Sequence, residues 1–149
     1  MKNYFLLLII LLPIFALGQE PSSKEIGDWV KQAQQIEIIR DKWGIAHIYG
    51  KTDADAVFGM MYAQCEDDFK RIELNYIEKL GRLSEIDGEK SLYNDLQIRL
   101  LIDSTQAIND YKKAEPWMKK LLEAYADGIN FYLYKNPKAK PALLTKFKP

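Results

Sequence analysis

Cysteine and histidine are nearly absent from this 149-residue chain, which has one of each, Cys65 and His47. A single cysteine cannot close an intramolecular disulfide, a common support of small domains, so stability has to come from apolar packing within the chain or against another polypeptide. Neither sign of charge is in excess, because 21 basic side chains balance 21 acidic ones. This balance excludes binding to nucleic acid or to an anionic membrane through bulk charge.

The glycine and serine motifs of several common catalytic folds are also missing. The eight glycines never form a Gly-x-Gly-x-x-Gly or P-loop pattern, so phosphate-binding chemistry of those types is not indicated. No serine lies in a Gly-x-Ser-x-Gly or Ser-x-x-Lys motif. A helix-cap or loop role accounts for each of the five serines: Ser22, Ser23, Ser84, Ser91 and Ser104.

The remaining candidates for chemistry are His47, Cys65 and the acidic run Glu66–Asp68. A histidine inside a short apolar strand is more often a hydrogen-bonded structural residue than a general base. Cys65 falls on the apolar side of a helical pattern with no basic neighbour to lower its pKa, which predicts an inert thiol. Consecutive helical residues point about 100° apart, so the acidic run predicts a solvated, ion-paired face and not a metal site. The sequence thus predicts no catalytic, cofactor-binding or metal-ligating residue.

One long apolar run does occur, at the start of the chain. Lys2 precedes the apolar segment Tyr4–Leu12, and residues 16–18, Ala-Leu-Gly, supply the small side chains that signal peptidase requires. A membrane-spanning helix is the alternative, but the run is interrupted by Pro13 and is shorter than the ~20 residues that a bilayer core needs. We therefore predict a signal peptide over residues 1–18, a mature protein without a membrane segment, and a periplasmic or extracellular location.

The mature chain is predicted to have an α+β fold in which a β-hairpin precedes a mostly helical region. Residues 19–34 are polar at their start and predict a flexible lead-in. From Gln35 an alternation of apolar and polar residues predicts a strand, a turn at Asp41–Gly44, and a second strand that ends at Tyr49. An isolated hairpin is only marginally stable, so more strands or a helix have to cover its apolar face.

A long helix is predicted directly after the hairpin. Thr52 is its expected N-cap, Gly81 its expected end, and an apolar stripe follows one side throughout. On the polar side, acid-before-base spacing at i,i+4 predicts two ion pairs, Glu66–Lys70 and Asp67–Arg71.

Two further helices and an irregular tail complete the predicted order of elements. Ser91 is the expected cap of the second helix, and the pattern leaves open whether that helix continues or breaks near residues 103–105. Pro116 suits the first position of the third helix, whose interior Gly128 predicts a close crossing with another element. Residues 138–149 have few periodic apolar positions and predict the start of a long connection.

Four motifs occur in an order that matches one known family. Residues 36–49 read Ile-Glu-Ile-Ile-Arg-Asp-Lys-Trp-Gly-Ile-Ala-His-Ile-Tyr, and residues 58–67 contain Phe-Gly, Tyr-Ala-Gln and Glu-Asp. Residues 81–86 read Gly-Arg-Leu-Ser-Glu-Ile, and residues 124–130 read Ala-Tyr-Ala-Asp-Gly-Ile-Asn. Together these motifs resemble the N-terminal part of the α-chain of the penicillin acylase (penicillin amidase) family.

The resemblance implies an N-terminal-nucleophile amidohydrolase of αββα fold, made as an exported precursor that cuts itself into a small α-chain and a large β-chain. In such an enzyme a serine at the start of the β-chain attacks the amide of an N-acylated substrate, with its own α-amino group as base. Residues 35–149 then correspond to a partial domain that stops before the acyl pocket, the calcium carboxylate and the autocleavage site. The resemblance implies calcium in the full-length enzyme and a β-chain or C-terminal remainder as the partner.

Two functions follow as alternatives. The first is the N-terminal part of an exported amidase for penicillins, acyl-homoserine lactones or related N-acyl compounds, inactive by itself. The second is an exported helical module that binds a partner without catalysis. Because the first function leaves the apolar stripe of the long helix and the hairpin to pack on a missing chain, we expect the isolated chain to fold poorly.

Overall fold

A computed structural model describes residues 20–149 of the chain, and the predicted signal peptide, residues 1–18, lies outside the described residues. The elements in chain order are α1 (Ser23–Ala33), β1 (Ile36–Arg40), β2 (Ala46–Gly50), α2 (Asp53–Lys79), α3 (Ser84–Asp87), α4 (Leu92–Leu101), α5 (Ser104–Lys113) and α6 (Pro116–Lys135). This order confirms the predicted α+β class. Within residues 20–149, no helix combines the length and the apolar character needed to cross a membrane.

The two strands form the predicted antiparallel hairpin, with Ile38 paired to Ile48 at the centre of the register. Asp41 closes the turn because one oxygen of its carboxylate accepts the backbone N–H of Trp43 at 2.8 Å and that of Ile45 at 3.0 Å. Gly44 takes the positive φ of +82° that the turn requires and that other residues rarely adopt. Local turn chemistry therefore sets the register of the hairpin.

Helix α2 begins and ends where the sequence predicts. Thr52 and Asp55 form a reciprocal capping box, in which Thr52 Oγ1 accepts the Asp55 N–H at 3.2 Å and the Asp55 carboxylate accepts the Thr52 N–H at 3.1 Å. Gly81 follows the C-terminal end with a φ of +61°.

The polar side of α2 differs from the prediction, because the helix is kinked at Asp68, where φ is −159° and ψ is 74°. The two expected ion pairs, Glu66–Lys70 and Asp67–Arg71, are wrong. Asp68 instead pairs with Arg71 across 3.3 Å. The kink breaks the regular spacing on which an i,i+4 pairing depends, and it leaves the preceding carboxylates to a partner on the hairpin.

Helix α6 crosses α2, and the contact between them forms the centre of the core. Phe58, Met61 and Ile129 are almost completely buried there. A Cβ added at Gly128 would lie 2.4 Å from the carbonyl oxygen of Phe58, so only glycine fits at the crossing. The predicted close crossing is confirmed, as is Pro116 in the first turn of the helix.

The predicted flexible lead-in over residues 19–34 is wrong, because most of it forms α1. Ser22 and Glu25 make a second reciprocal capping box, with Ser22 Oγ accepting the Glu25 N–H at 3.2 Å. Trp29 is buried, with 3% of its surface exposed, in a cluster with Phe58 and Phe131. Burial of this indole stabilises the segment despite its polar start.

The region between α2 and α6 corrects one prediction and answers an open question. Ser91 occupies the N-cap position of α4, at the end of a 3₁₀ turn, but its side chain makes no capping hydrogen bond and its hydroxyl donates instead to Asp87 across 3.5 Å. Asp103 caps α5 by accepting the backbone N–H groups of Thr105 at 2.7 Å and Gln106 at 3.2 Å. The second helical region therefore breaks into α4 and α5.

Residues 138–149 contain no helix or strand, but they return across α2 and α6. Phe147 is 2% exposed, and its ring lies 4.9 Å from that of Tyr76 and 6.1 Å from that of Phe69, centroid to centroid. The segment expected to be the start of a connection is thus part of the core.

Candidate functional site

Two serine hydroxyls contact a carboxylate within residues 20–149, Ser22 with Glu25 at 2.8 Å and Ser91 with Asp87 at 3.5 Å, and both contacts belong to a helix cap or a turn. His47 lies exposed on β2, with Nε2 3.4 Å from Asp41 Oδ2, and so supports the hairpin turn as a structural histidine would. The serines lie at helix starts or turns, and in the described part of the chain none of their hydroxyls is hydrogen-bonded to His47. The serine hydroxyls that find partners therefore support local structure.

Cys65 is buried on the apolar side of α2, with 1% of its surface exposed. Its neighbours in the core include Met61, Ile72 and Ile129. Burial raises the pKa of the Cys65 thiol to about 12. A thiol that stays protonated at neutral pH is a poor nucleophile and a poor metal ligand, which agrees with the predicted inert role.

Arg40, at the end of β1, connects the first two motifs. Its Nη1 donates to the carbonyl oxygen of Gly44 at 2.9 Å, and its Nη2 lies 3.3 Å from the carbonyl oxygen of Ala63. The same Nη2 contacts a carboxylate oxygen of Glu66 at 3.2 Å and of Asp67 at 2.9 Å. One guanidinium thus holds the hairpin turn against the second motif, which lies on α2.

The acidic run Glu66–Asp68 is paired with arginine side chains, of which Arg40 is one. The predicted ion-paired face is present, but with Arg40 and Arg71 as the cations. Among residues 20–149, no three side chains of the His, Cys, Asp or Glu types converge as a metal site would require. The carboxylates are engaged by guanidinium groups and do not fit the oxygen cage that calcium prefers.

Two glycines of the motifs allow close packing against α2. A Cβ at Gly59 would lie 2.7 Å from a methyl of Ile36 and 2.9 Å from a methyl of Ile48, so the hairpin rests directly on the helix at this point. Gly128 has the corresponding role where α6 crosses α2. The glycine in each motif therefore allows two elements to pack closely: the hairpin on α2 at Gly59, and α6 on α2 at Gly128.

The Gly-Arg-Leu-Ser-Glu turn anchors α4. Asp95 of that helix accepts the backbone N–H groups of Leu83 at 2.8 Å and Ser84 at 2.7 Å, and Arg99 Nε donates to the carbonyl oxygen of Gly81 at 2.8 Å. Burial opposes ionisation of Asp95, but these hydrogen bonds outweigh it and keep the pKa below its ordinary value. The motif thus determines where the chain turns from α2 into α4.

The fourth motif, on α6, anchors the C-terminal segment. Asn130 Nδ2 donates to the carbonyl oxygen of Phe147 at 2.9 Å, and Asn130 Oδ1 accepts the Phe147 N–H at 2.8 Å. Burial raises the pKa of the neighbouring Asp127 above its ordinary value. Each of the four motifs therefore holds one element of the described chain against another.

Two apolar surfaces remain open around this scaffold. The hairpin surface consists of Ile39, Trp43, Ile45 and Tyr49, of which Trp43 is 76% exposed. The α4 surface consists of Tyr93, Leu96, Leu100 and Leu101, of which Leu100 is 86% exposed. Several large apolar side chains exposed on one element in this way suggest a surface that another polypeptide covers.

An open cavity of about 650 Å³ lies beside the α4 surface. Its walls come from α4, α5, α6 and the end of α2, and apolar side chains such as Ile98, Ile102 and Ile108 dominate them. Lys79, Arg99 and Asp110 bring charge to its edge. Its size is in the range of small-molecule pockets, but no reactive pair lines it.

The fold is shared with a solved enzyme. A thermostable penicillin G acylase from Alcaligenes faecalis superposes with a TM-score of 0.64 at 21% sequence identity, over 76% of this chain and 63% of that chain. Residues 35–149 match the family model for penicillin amidase. The chain therefore belongs to the penicillin amidase family.

The curated relatives are all much longer than this chain. An acyl-homoserine lactone acylase (QuiP) from Pseudomonas putida is 29% identical over 110 residues, which are 74% of this chain and 14% of the relative. A penicillin acylase 2 proenzyme from Pseudomonas sp. strain SE83 is 30% identical over 98 residues, 66% of this chain and 13% of the relative. The chain thus spans about a seventh of the length of the curated relatives it matches.

Sequence reasoning missed two polar residues that organise the C-terminal segment, Glu73 and Asn130. A signal for Glu73 was available, because it lies four residues after Phe69 and so on the apolar side of α2. A carboxylate in such a position is buried only with compensating partners. Its partners are backbone groups from residues 142–144, which no pattern of side chains could indicate.

Proposed function

We propose that this chain is the N-terminal structural part of an exported N-acyl amidohydrolase, and that it has no amidase activity by itself. The nucleophile, its base and the oxyanion donors are supplied by polypeptide outside residues 1–149. The observation that carries the proposal is the family match over residues 35–149 combined with coverage of only 14% of a relative's length.

The proposed scaffold role rests on the contacts by which the four motifs hold the elements together. Arg40, Gly59, Asp95 and Asn130 hold the hairpin, the helices and the C-terminal segment in fixed relative positions. The hairpin surface and the α4 surface leave apolar area open that the remainder of the enzyme would cover. Preorganised catalytic groups depend on such a rigid support, because their geometry has to be maintained before substrate binds.

The proposed reaction is hydrolysis of the amide bond of an N-acylated small molecule. Relatives are named as acyl-homoserine lactone acylases and as penicillin acylases, so both substrate types belong in the assay. By the family resemblance, a serine at the start of a β-chain attacks the amide carbonyl and its α-amino group takes the proton.

The test is co-expression of this chain with the coding sequence that follows residue 149 in the genome. We expect hydrolysis of an N-acyl-homoserine lactone or a phenylacetyl amide by the combined product, and none by residues 19–149 purified alone. Replacement of the serine at the new β-chain N-terminus by alanine is the matched negative control. Hydrolysis by the purified chain alone would overturn the proposal.

Export is part of the same proposal. We propose cleavage after Gly18, so that the mature chain begins at Gln19 and acts in the periplasm or outside the cell. N-terminal sequencing of protein recovered from the periplasmic fraction tests this directly. A mature protein that retains Met1, or one found only in the cytoplasm, contradicts it.

We also assign any calcium site of the complete enzyme to residues outside 20–149, since Glu66 and Asp67 are engaged by Arg40. Calcium titration of residues 19–149, followed by calorimetry, is expected to give no specific heat of binding. A stoichiometric binding isotherm would contradict this assignment.

The second candidate function is an exported helical module that binds a partner without catalysis. The apolar cavity beside α4 favours it, because a pocket of this size can take a ligand or a side chain of a partner. The genomic sequence after residue 149 separates the two candidates. A continuation with an autocleavage site before a serine supports the amidase, and a stop codon without related sequence downstream supports the binding module.

A further inference from the structure

Three consecutive backbone N–H groups of the C-terminal segment point at one carboxylate. Glu73 Oε2 accepts the N–H of Ala142 at 2.8 Å, and Glu73 Oε1 accepts those of Leu143 at 2.8 Å and Leu144 at 2.9 Å. Successive backbone N–H groups that converge in this way form an anion-binding concavity. Here the anion is a side chain of the same molecule, 69 to 71 residues earlier in the sequence.

Glu73 is almost completely buried on α2, with 2% of its surface exposed. Within residues 20–149, no lysine, arginine or histidine nitrogen forms an ion pair with it. Burial of a carboxylate is costly unless hydrogen bonds replace its water. The three backbone donors therefore have to compensate the charge, and charge-assisted hydrogen bonds of this kind are about twice as strong as neutral ones.

We propose that residues 142–144 form an anion-binding loop whose resident ligand is the Glu73 carboxylate. The loop recognises the chemical class of small monocarboxylates, and Glu73 keeps it occupied. Glu73 is consequently the positioning residue for the segment that leads to Phe147. This inference holds whether or not the chain is part of an amidase.

Phe147, three residues after Leu144, is a second point at which the C-terminal segment is attached. It allows the effect of Glu73 on residues 142–144 to be separated from detachment of the whole segment. Phe147 is held by Asn130 through two hydrogen bonds and by its buried ring. Loss of Glu73 would therefore release residues 142–144 and leave Phe147 attached. This local pattern distinguishes loss of one ligand from general unfolding.

The test is chemical rescue of Glu73→Ala in the mature chain co-expressed with the coding sequence that follows residue 149, because we expect residues 19–149 to fold poorly by themselves. This variant lacks the atoms beyond Cβ, and the methyl and carboxylate of acetate can replace them. Amide hydrogen exchange at residues 142–144 is expected to accelerate about tenfold or more, as the loss of charge-assisted hydrogen bonds predicts, while exchange at Phe147 changes less. Acetate should restore protection, whereas the neutral analogue acetamide and an equal concentration of sodium chloride should not.

Two further variants make the result decisive. Glu78→Ala removes a partly exposed carboxylate from the same helix, one that pairs with Lys79, and should leave exchange at residues 142–144 unchanged. Glu73→Gln keeps the shape and the helix, and should still lose protection at residues 142–144, which covers the case in which Glu73→Ala does not fold. Unchanged protection in Glu73→Gln, or equal rescue by acetate and acetamide in Glu73→Ala, would overturn the proposal.

Discussion

At the scale of single residues, the contact between Lys146 and Glu25 has a clear titration signature. Lys146 Nζ lies 2.7 Å from Glu25 Oε1, and this hydrogen bond, together with those from Ser22, lowers the pKa of Glu25 to about 2 from an ordinary value of 4.5. Because the folded-state pKa is below the unfolded one, the contact stabilises the fold above pH 4.5. That contribution is lost as the pH falls from 4.5 towards 2.

We predict that Lys146→Ala raises the pKa of Glu25 towards its ordinary value, as measured by NMR titration of the side-chain carboxyl carbon. The difference in stability between the native chain and the variant should shrink as the pH falls from 4.5 to about 2. Lys148→Ala, which removes an exposed lysine two residues later, is the matched control. An equal shift of the Glu25 pKa in both variants would show that bulk charge, and not the contact, is responsible.

A second prediction at this scale concerns Cys65. Its pKa of about 12 and its burial should prevent alkylation by iodoacetamide at pH 8 in the folded chain. In denaturant the same thiol should react completely. Mass spectrometry before and after unfolding measures both states, and rapid alkylation of the folded chain would contradict the buried position.

The sequence predicts residues whose roles are local and misses those whose partners are distant. Cys65 is placed correctly because helical periodicity alone assigns it to the apolar side of α2. Arg40 is missed because its partners on α2 lie 23 and 26 residues away. Glu73 is missed for the same reason, since its partners are backbone groups of a segment with no periodic pattern.

At the scale of elements, the crossing of α2 and α6 depends on the absence of a side chain at Gly128. We predict that Gly128→Ala destabilises the chain by about 1–3 kcal/mol, as overpacking in a core does, because its Cβ would lie 2.4 Å from a carbonyl oxygen. Thermal or urea unfolding measures the effect. At a helical glycine with free space around it, the same substitution would instead raise the stability, because alanine has the higher helix propensity.

Gly27→Ala in α1 is the matched control for that variant. A Cβ at Gly27 would have no atom within 4 Å, so alanine should be neutral or stabilising by up to about 1 kcal/mol through helix propensity. Equal effects of the two substitutions would mean that backbone propensity, and not the crossing, determines the need for glycine at position 128.

Elements with strong local signals are the ones that the sequence predicts well. The hairpin, Thr52 as the N-cap of α2 and the proline at the start of α6 are all confirmed by the structure. Helix α1 was mistaken for a flexible lead-in because its polar start concealed a capping box, Ser22 with Glu25, and a spacing that buries Trp29. The kink at Asp68 is not predicted, because the apolar stripe of α2 continues past it and gives no sign of an interruption.

At the scale of the whole molecule, the open apolar surfaces connect the fold to the proposed function. We predict that Leu100→Lys leaves the stability of the chain within about 0.5 kcal/mol, because an 86% exposed side chain makes few contacts here. The same substitution should reduce assembly with the remainder of the amidase, measured by the yield of processed enzyme on co-expression. Gln97→Lys, at an exposed polar position of α4, is the matched control and should assemble normally.

Whether residues 19–149 fold without a partner remains a prediction from the sequence, namely that they fold poorly. Circular dichroism and amide NMR of the purified chain are the measurements. A sharp, cooperative thermal transition with dispersed amide signals would contradict the prediction and would make the binding module the stronger candidate.

The return of the C-terminal segment to the first helix has a consequence for the order of folding. The ion pair between Lys146 and Glu25 closes a loop of 121 residues, and such distant contacts form late because the chain first loses the entropy of closure. During synthesis the N-terminal helix emerges long before its partner does. A chain interrupted before residue 142 would lack both the Lys146 contact and the backbone partners of the buried Glu73 carboxylate, so we expect it to be less stable than the full chain.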